Sequence, residues 1–206
     1  DPRQIGRILR NRPVMFANLG YFGHMWELYA LWAWFLAYAS AAATAGSWSL
    51  NASILAFAVV GLGAPSSVLA GWLADRIGRC RTTALAMGIS GTSALLIGFT
   101  FDGPAWLFTT VALIWGFTVV ADSAQFSAAV TELADQALVG SALAFQMGVG
   151  FSITIGMIWL MPILADLLGS WQWVFAILAI GPAVGVWSML RLYRMPEASR
   201  IAGGKR

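Results

Sequence analysis

Six long apolar stretches constrain the fold of this sequence more than any other feature. They cover residues 14–39, 51–74, 82–101, 104–128, 139–165 and 170–192. A helix crosses a bilayer with roughly 20 apolar residues, and in lipid the backbone must satisfy its own hydrogen bonds. Only 10% of the residues are charged, whereas a soluble domain carries about 25%. The sequence therefore predicts an all-α integral membrane protein with six transmembrane helices, which we number spans 1 to 6.

The basic residues predict how these spans are oriented. All of them lie before span 1, between spans 2 and 3, or at or beyond the end of span 6, and an even number of spans places those regions on one side. They are Arg3, Arg7, Arg10, Arg12, Arg76, Arg79, Arg81, Arg191, Arg194, Arg200, Lys205 and Arg206. The connections 40–50, 102–104 and 166–170 contain no lysine or arginine. Because cytoplasmic loops are enriched in these residues, we expect both termini to be cytoplasmic.

This topology divides the chain into three parts. We expect a cytoplasmic linker over 1–13, a transmembrane domain over 14–192 and a cytoplasmic tail over 193–206. The chain begins with Asp1 rather than methionine, so we expect a processed or excised piece. The multi-pass pattern and its charge bias are expected of a protein of the bacterial inner membrane.

The stretch "GWLADRIGRCR" at 71–81 concentrates charge between spans 2 and 3. It resembles the loop motif of the major facilitator superfamily, G-x-x-x-D-R-x-G-R-[RK]. The matching residues are Gly71, Asp75, Arg76, Gly78 and Arg79. The next basic position is Cys80, with Arg81 one place late. We expect Gly71 to end span 2, Asp75 to lie near a helix N-terminus and Gly78 to adopt a positive φ. Charge alone also fits a generic cytoplasmic turn.

The resemblance implies more than a topology. A complete transporter of this family has two six-helix halves, so the chain would be one half of a secondary transporter that works by alternating access. Its partner would be a missing N-terminal half or a second copy. Span 4 lacks the arginine that is usual in a first half, and span 5 lacks the G-x-x-x-G-P-x-x-G-G pattern of first halves in proton antiporters. The basic stretch 1–12 looks like the linker that precedes a second half, so we expect the C-terminal half. The alternative is a natural six-span protein that pairs with itself.

Ionisable residues inside the spans are the candidates for transport chemistry, because they are costly in lipid and usually functional. His24 and Glu27 lie three residues apart on span 1, and Asp122 lies on span 4 with Gln125 three residues on. The resemblance implies that these spans line a central cavity. A carboxylate that takes up and releases a proton there would couple transport to protons, and Glu27, near mid-membrane, is the main candidate.

Plainer interpretations remain open. His24 could be a structural hydrogen-bonding group against Glu27, and Asp122 could have a structural role as an N-cap or as one member of a pair. Asn18 and Gln146 are weaker polar candidates. Tyr29 belongs to an aromatic set that could line a solute site or face lipid. The set comprises Trp26, Tyr29, Trp32, Trp34 and Trp115.

Other classes of function are disfavoured. "GISG" at 88–91 matches a rhomboid-protease motif by letters, but the one histidine precedes that serine, so no nucleophile–base pair follows. One His and one Cys cannot build a metal site, and no phosphate-binding glycine loop is present. We expect no enzyme, no cofactor and no nucleic-acid partner; the partners are lipid, a small solute and a proton. A non-transporting membrane scaffold remains the alternative, favoured if Glu27 and Asp122 are packed inside the unit. Neither the identity nor the charge of the solute follows from the sequence.

Overall fold

A computed structural model describes residues 2–205, so Asp1 and Arg206, the outermost residues of the expected linker and tail, lie outside it, as do the side chains of Pro2 and Arg3. The described residues form nine α-helices and three 3₁₀ segments. The α-helices are α1 (Pro2–Arg10), α2 (Arg12–Ala45), α3 (Ala52–Gly61), α4 (Gly63–Ile77), α5 (Arg79–Phe99), α6 (Ala105–Ala121), α7 (Ser123–Leu133), α8 (Val139–Leu168) and α9 (Ile180–Tyr193). The 3₁₀ segments are Gln136–Leu138, Val174–Ala179 and Pro196–Gly204.

Six helical units are long and apolar enough to cross a membrane, which confirms the predicted fold class. Span 1 is α2, span 3 is α5, and spans 2 and 4 each consist of two helices, α3 with α4 and α6 with α7. Span 5 is Gln136–Leu168 and span 6 is Val174–Tyr193. Span 1 continues to Ala45, beyond the predicted 39, because the small residues of its last turns are compatible with a helix.

Local sequence explains where several spans begin and end. The side chain of Asn11 accepts a hydrogen bond from the backbone of Val14, and that of Asn51 accepts from Ser53 and Ile54. Both are N-caps, which satisfy otherwise free N–H groups. Gly169 follows span 5 with a φ of +65°, the left-handed conformation that commonly ends a helix.

Glycines set the close approach of spans 1 and 6. A Cβ on Gly23 would lie 2.2 Å from the backbone oxygen of Gly181, and a Cβ on Gly181 would lie 2.3 Å from the backbone oxygen of Gly23. Small residues let membrane helices approach to backbone contact. Both glycines of the "GPAVG" stretch at 181–185 lie at this crossing, since a Cβ on Gly23 would also lie 3.3 Å from the backbone nitrogen of Gly185. In span 5, a Cβ on Gly150 would lie 2.5 Å from a ring carbon of Tyr21, so this glycine makes room for a side chain of span 1.

Two hydrophobic clusters occupy opposite ends of the bundle. One contains Phe35, Tyr38, Phe108 and Phe175. The other contains Phe126 among others and lies at the end that carries the arginine-rich turn, which we call the basic end. Where the two clusters meet on span 1 lie the buried side chains of His24 and Glu27. This polar layer positions the candidate site.

Candidate functional site

Glu27 lies in the polar layer between three spans. Its Oε1 accepts hydrogen bonds from the indole Nε1 of Trp115 at 2.6 Å and from the hydroxyl of Ser90 at 2.7 Å. Trp115 comes from span 4 and Ser90 from span 3, and Glu27 is only 2% exposed. Buried charges in proteins are normally paired or hydrogen-bonded. Two donors on one oxygen give this carboxyl group a fixed position while leaving it able to exist with or without a proton.

His24 faces Asp122 rather than Glu27. The Nδ1 atom of His24 and the Oδ1 atom of Asp122 are 3.0 Å apart, and the two residues are 1% and 2% exposed. The contact is at ion-pair distance, and Nε2, the other ring nitrogen of His24, has no hydrogen-bond partner among the described residues. The suggestion of a structural contact between His24 and Glu27 was therefore wrong, because the two side chains of span 1 point to different neighbours.

Asp122 is a junction residue rather than a simple N-cap. It lies between α6 and α7, and its side chain makes no capping hydrogen bond to α7. Asp122 keeps right-handed φ and ψ angles of −91° and −14°, and residues Ala105–Leu133 form one membrane-spanning unit. Its side chain does not cap α7, and its contact with His24 agrees with the alternative of a structural pairing role.

Asn18, Gln146 and Ser127 form a second polar connection closer to the basic end. Nε2 of Gln146 donates to Oδ1 of Asn18 at 3.1 Å, and the hydroxyl of Ser127 donates to Oε1 of Gln146 at 3.0 Å. This connection joins spans 1, 5 and 4. Asn18 and Gln146 are fully buried, so the arrangement is that of an interhelical polar contact.

The aromatic candidates separate into two groups. The indole groups of Trp26 and Trp34 donate to the backbone oxygens of Ile177 and Ile158, at 3.0 and 2.8 Å, so they fasten span 1 to spans 6 and 5. Tyr29 is half-buried, with its ring 5.6 Å from that of Trp32 and 5.8 Å from that of Phe151. Phe151 lies on the exposed face of span 5, so Tyr29 and Trp32 lie beside that face.

Arg79 forms the main ion pair of the basic end. Its Nε and NH2 groups donate to the two carboxylate oxygens of Glu132 at 3.0 and 2.8 Å, and its NH1 group donates to Oε1 of Gln125 at 2.7 Å. A bidentate arginine–carboxylate pair is among the stronger polar contacts in proteins. Arg79 joins span 3 to span 4, because α7 extends to Leu133 and brings Glu132 to the turn.

The remaining residues of the charged turn differ in part from expectation. Gly78 has a φ of +95°, which confirms the predicted turn glycine. Gly71 does not end span 2, since α4 continues to Ile77, and a Cβ there would meet nothing within 4 Å. Asp75 lies in the last turn of α4 and not at a helix N-terminus, and its side chain is exposed.

Two arginines of the turn contact aromatic rings. Arg76 lies 3.8 Å from the ring centroid of Trp72. Arg81 lies over Tyr193 and donates to its hydroxyl group. Such cation–π contacts contribute modestly at exposed sites, and they hold the turn against spans 2 and 6.

The sequence analysis missed Ser90, Ser127 and Glu132 as partners of the candidate residues. Ser90 lies within the "GISG" stretch at 88–91, and Glu132 lies in the connection between predicted spans 4 and 5. One signal was present for Glu132. Two spans, 3 and 4, separate this acidic residue from the arginine-rich turn, so the topology places both at the same end of the bundle. Among the described residues, no group of three His, Cys, Asp or Glu could hold a metal ion.

The family model of the Major Facilitator Superfamily matches residues 9–206. This chain belongs to the Major Facilitator Superfamily. Membership implies transport of a solute across a membrane, and the six spans fit one half of a transporter of this superfamily. The comparison with curated proteins found no significant match.

Proposed function

We propose that this superfamily member moves a small solute by alternating access and couples the movement to protons through Glu27. The observation that carries the proposal is the polar layer, in which Glu27, His24 and Asp122 lie buried between two hydrophobic clusters. Ionisable groups at such depth are costly to retain. Protonation removes the charge of a carboxylate, so a proton on Glu27 lowers the cost of moving it through an apolar environment.

The burial of Glu27 and Asp122 is also the observation that favours a non-transporting scaffold. A scaffold, however, gains stability when buried polar atoms are fully satisfied. Nε2 of His24 has no hydrogen-bond partner among residues 2–205. An unsatisfied ring nitrogen in a buried ionisable pair is expected where a proton binds and leaves, so we favour transport.

The exposed face of span 5 supports a second six-helix half as the partner. Small residues recur every four positions along it, and all are exposed. They are Gly140, Ala144, Gly148, Ser152 and Gly156. This stripe is about 24 Å long at 1.5 Å per residue, and a Cβ at each of its three glycines would meet nothing within 4 Å. Stripes of this kind pack against another membrane helix. Tyr29 and Trp32 would then border the solute path beside Phe151.

We propose that the chain is the C-terminal half, with both termini in the cytoplasm, and that it resides in a bacterial inner membrane. The segregated arginines and the basic helix α1 support this orientation. The turn at 71–81 would then be a cytoplasmic gate, with Asp75 exposed for contact with the other half.

Labelling single cysteines from the two sides of sealed vesicles tests the topology. In a Cys80→Ser background, Ser47→Cys and Arg200→Cys should react with a membrane-impermeant maleimide from opposite sides. The two positions follow span 1 and span 6, which an antiparallel arrangement places at opposite ends of the bundle. Labelling of both positions from the same side would contradict the six-span topology.

A transport measurement tests the proposed coupling. The full-length protein in proteoliposomes should accumulate its solute when a pH gradient is imposed, with candidate solutes screened by counterflow. A protonophore should abolish accumulation and leave counterflow intact, because exchange needs no net proton movement. Counterflow without any response to the gradient would leave solute transport in place and exclude proton coupling. The absence of both activities across a broad solute panel would favour the scaffold.

A further inference from the structure

A groove runs between spans 3 and 6 on the surface of the bundle. Its walls come from residues 87–95 of span 3 and residues 179–186 of span 6, and its volume is about 370 Å³. This volume lies within the range of about 300–1,000 Å³ that is typical of ligand pockets. Gly88 lines the groove, and a Cβ on this residue would meet nothing within 4 Å. We call this feature the seam groove.

The side chains that line the seam groove are almost wholly apolar. Among its lining residues in the described part of the chain, only Thr92 has a polar side chain. The hydroxyl group of Thr92 donates to the backbone oxygen of Gly88, within its own helix, at 2.7 Å, so its hydrogen is not available to a ligand. Apolar surface gains free energy when it is covered by other apolar groups. The seam groove therefore favours a hydrocarbon chain over a polar solute.

Two arginines lie beyond the seam groove, toward the basic end. Arg81 precedes Gly88 by two helical turns, and Arg194 follows Ala183 by three, so each lies on the groove face of its span. The guanidinium of Arg81 lies 4.9 Å from the ring centroid of Tyr193 on span 6 and donates to its hydroxyl group. Among residues 2–205, no carboxylate lies within ion-pair distance of Arg81 or Arg194. Both positive charges can therefore serve an anionic ligand.

The distances between these arginines and the seam groove match the dimensions of one lipid leaflet. Residues 87–95 lie about 9–21 Å from Arg81 along span 3, and residues 179–186 lie about 12–22 Å from Arg194 along span 6. The hydrocarbon core of a bilayer is about 30 Å thick, so one leaflet contributes about 15 Å. A phosphate group at the two arginines would place an acyl chain along the groove.

The position of the seam groove favours lipid over the second six-helix half as its occupant. Span 1 packs against both span 5 and span 6, and span 3 packs against span 6. The groove and the exposed stripe of span 5 therefore lie on different sides of the bundle. A second half that covers the stripe leaves the seam groove facing the bilayer.

We propose that the seam groove binds one anionic phospholipid from the leaflet at the basic end, with its phosphate on Arg81 and Arg194 and an acyl chain in the groove. Basic pockets between transmembrane helices bind anionic headgroups, and the guanidinium group matches the geometry of phosphate oxygens. The arginines and the groove recognise different parts of one molecule. The proposal depends neither on proton coupling nor on the identity of the solute.

Native mass spectrometry of the full-length protein in detergent tests the proposal. Phosphatidylglycerol and phosphatidylcholine with identical acyl chains are titrated separately. The dissociation constant of the first bound lipid should be at least about fivefold lower for phosphatidylglycerol, because arginines near the membrane surface favour anionic lipid. Arg81→Gln combined with Arg194→Gln should bring the two constants within about twofold of each other. Equal constants for the two lipids in the wild type would overturn the proposal.

A matched double variant controls for the loss of two positive charges. Arg10→Gln combined with Arg200→Gln removes the same charge from exposed positions on α1 and in the tail. This variant should keep the wild-type preference for phosphatidylglycerol. An equal loss of preference in both double variants would contradict the proposal, since the net charge of the protein rather than the groove would then select the lipid.

Gly88→Leu tests the seam groove while both arginines are retained. The new side chain would enter open space, so the packing of the spans is preserved. Binding of phosphatidylglycerol should weaken at least about fivefold, because displaced methylene groups lose their burial. Unchanged binding in this variant would rule out the groove as the acyl-chain site. Glycerol 3-phosphate, which has the phosphate but no acyl chain, should not displace the bound lipid, and displacement would instead identify a site for free phosphate.

Discussion

Replacing Glu27 with glutamine should abolish proton-driven accumulation of the solute while sparing solute exchange. The amide has nearly the shape of the protonated carboxyl group, and its oxygen can still accept from Trp115 and Ser90. The amide cannot release a proton. The variant can therefore exchange solute across the membrane but cannot use a proton gradient to accumulate it. We expect accumulation in proteoliposomes with a pH gradient to fall to the level of empty liposomes, and counterflow to remain within a few-fold of wild type.

A matched variant separates this effect from a general loss of acidic charge. Glu197→Gln changes an exposed glutamate in the tail and should accumulate solute as the wild type does. Accumulation that survives in Glu27→Gln would remove Glu27 as the coupling residue and would leave Asp122 as the next to test. Loss of counterflow as well as accumulation would assign Glu27 a structural or solute-binding role.

Adding a single methyl group at the crossing of spans 1 and 6 should destabilise the bundle strongly. In Gly181→Ala the new Cβ would lie 2.3 Å from the backbone oxygen of Gly23 and 2.8 Å from Cβ of Trp26. Backbone atoms cannot rotate away as a flexible side chain can, so the helices must separate. Overpacking typically costs about 1–3 kcal/mol, and we expect the upper end of that range. The measurement is the midpoint temperature of aggregation in detergent.

Gly88→Ala is the appropriate control for this substitution. Gly88 lies within span 3, and a Cβ there would meet nothing within 4 Å. Both substitutions gain the same helix propensity, about 1 kcal/mol, so their difference isolates the clash. Equal midpoint temperatures for the two variants would show that the crossing tolerates an added methyl group.

Hydropathy and charge predicted the number of spans because lipid imposes a length and a polarity on every crossing segment. The loop motif at 71–81 predicted the family by resemblance, and its glycine at 78 predicted the positive φ of the turn. These features depend on neighbours in the sequence. The partners of the candidate residues depend instead on how each helix is rotated within the bundle.

His24 and Glu27 illustrate that limit. Their spacing of three residues places them on neighbouring faces of one helix, which suggests a mutual contact. Span 4 lies close enough to reach both, with Asp122 meeting one and Trp115 the other. Ser90 donates the second hydrogen bond to Glu27, although its neighbours in the sequence are small packing residues. No periodicity in the sequence specifies such a three-helix meeting point.

The position of the polar layer exposes its protons to the membrane voltage. Hydrophobic clusters separate Glu27 from both ends of the bundle. Part of the transmembrane potential therefore drops on each side of this residue. Moving one charge through the whole field is worth about 2.3 kcal/mol per 100 mV, and a proton that reaches Glu27 from one side crosses roughly half of it. Its occupancy would then change about sevenfold per 100 mV, which makes the electrical component of the proton-motive force act directly on the loading of this site.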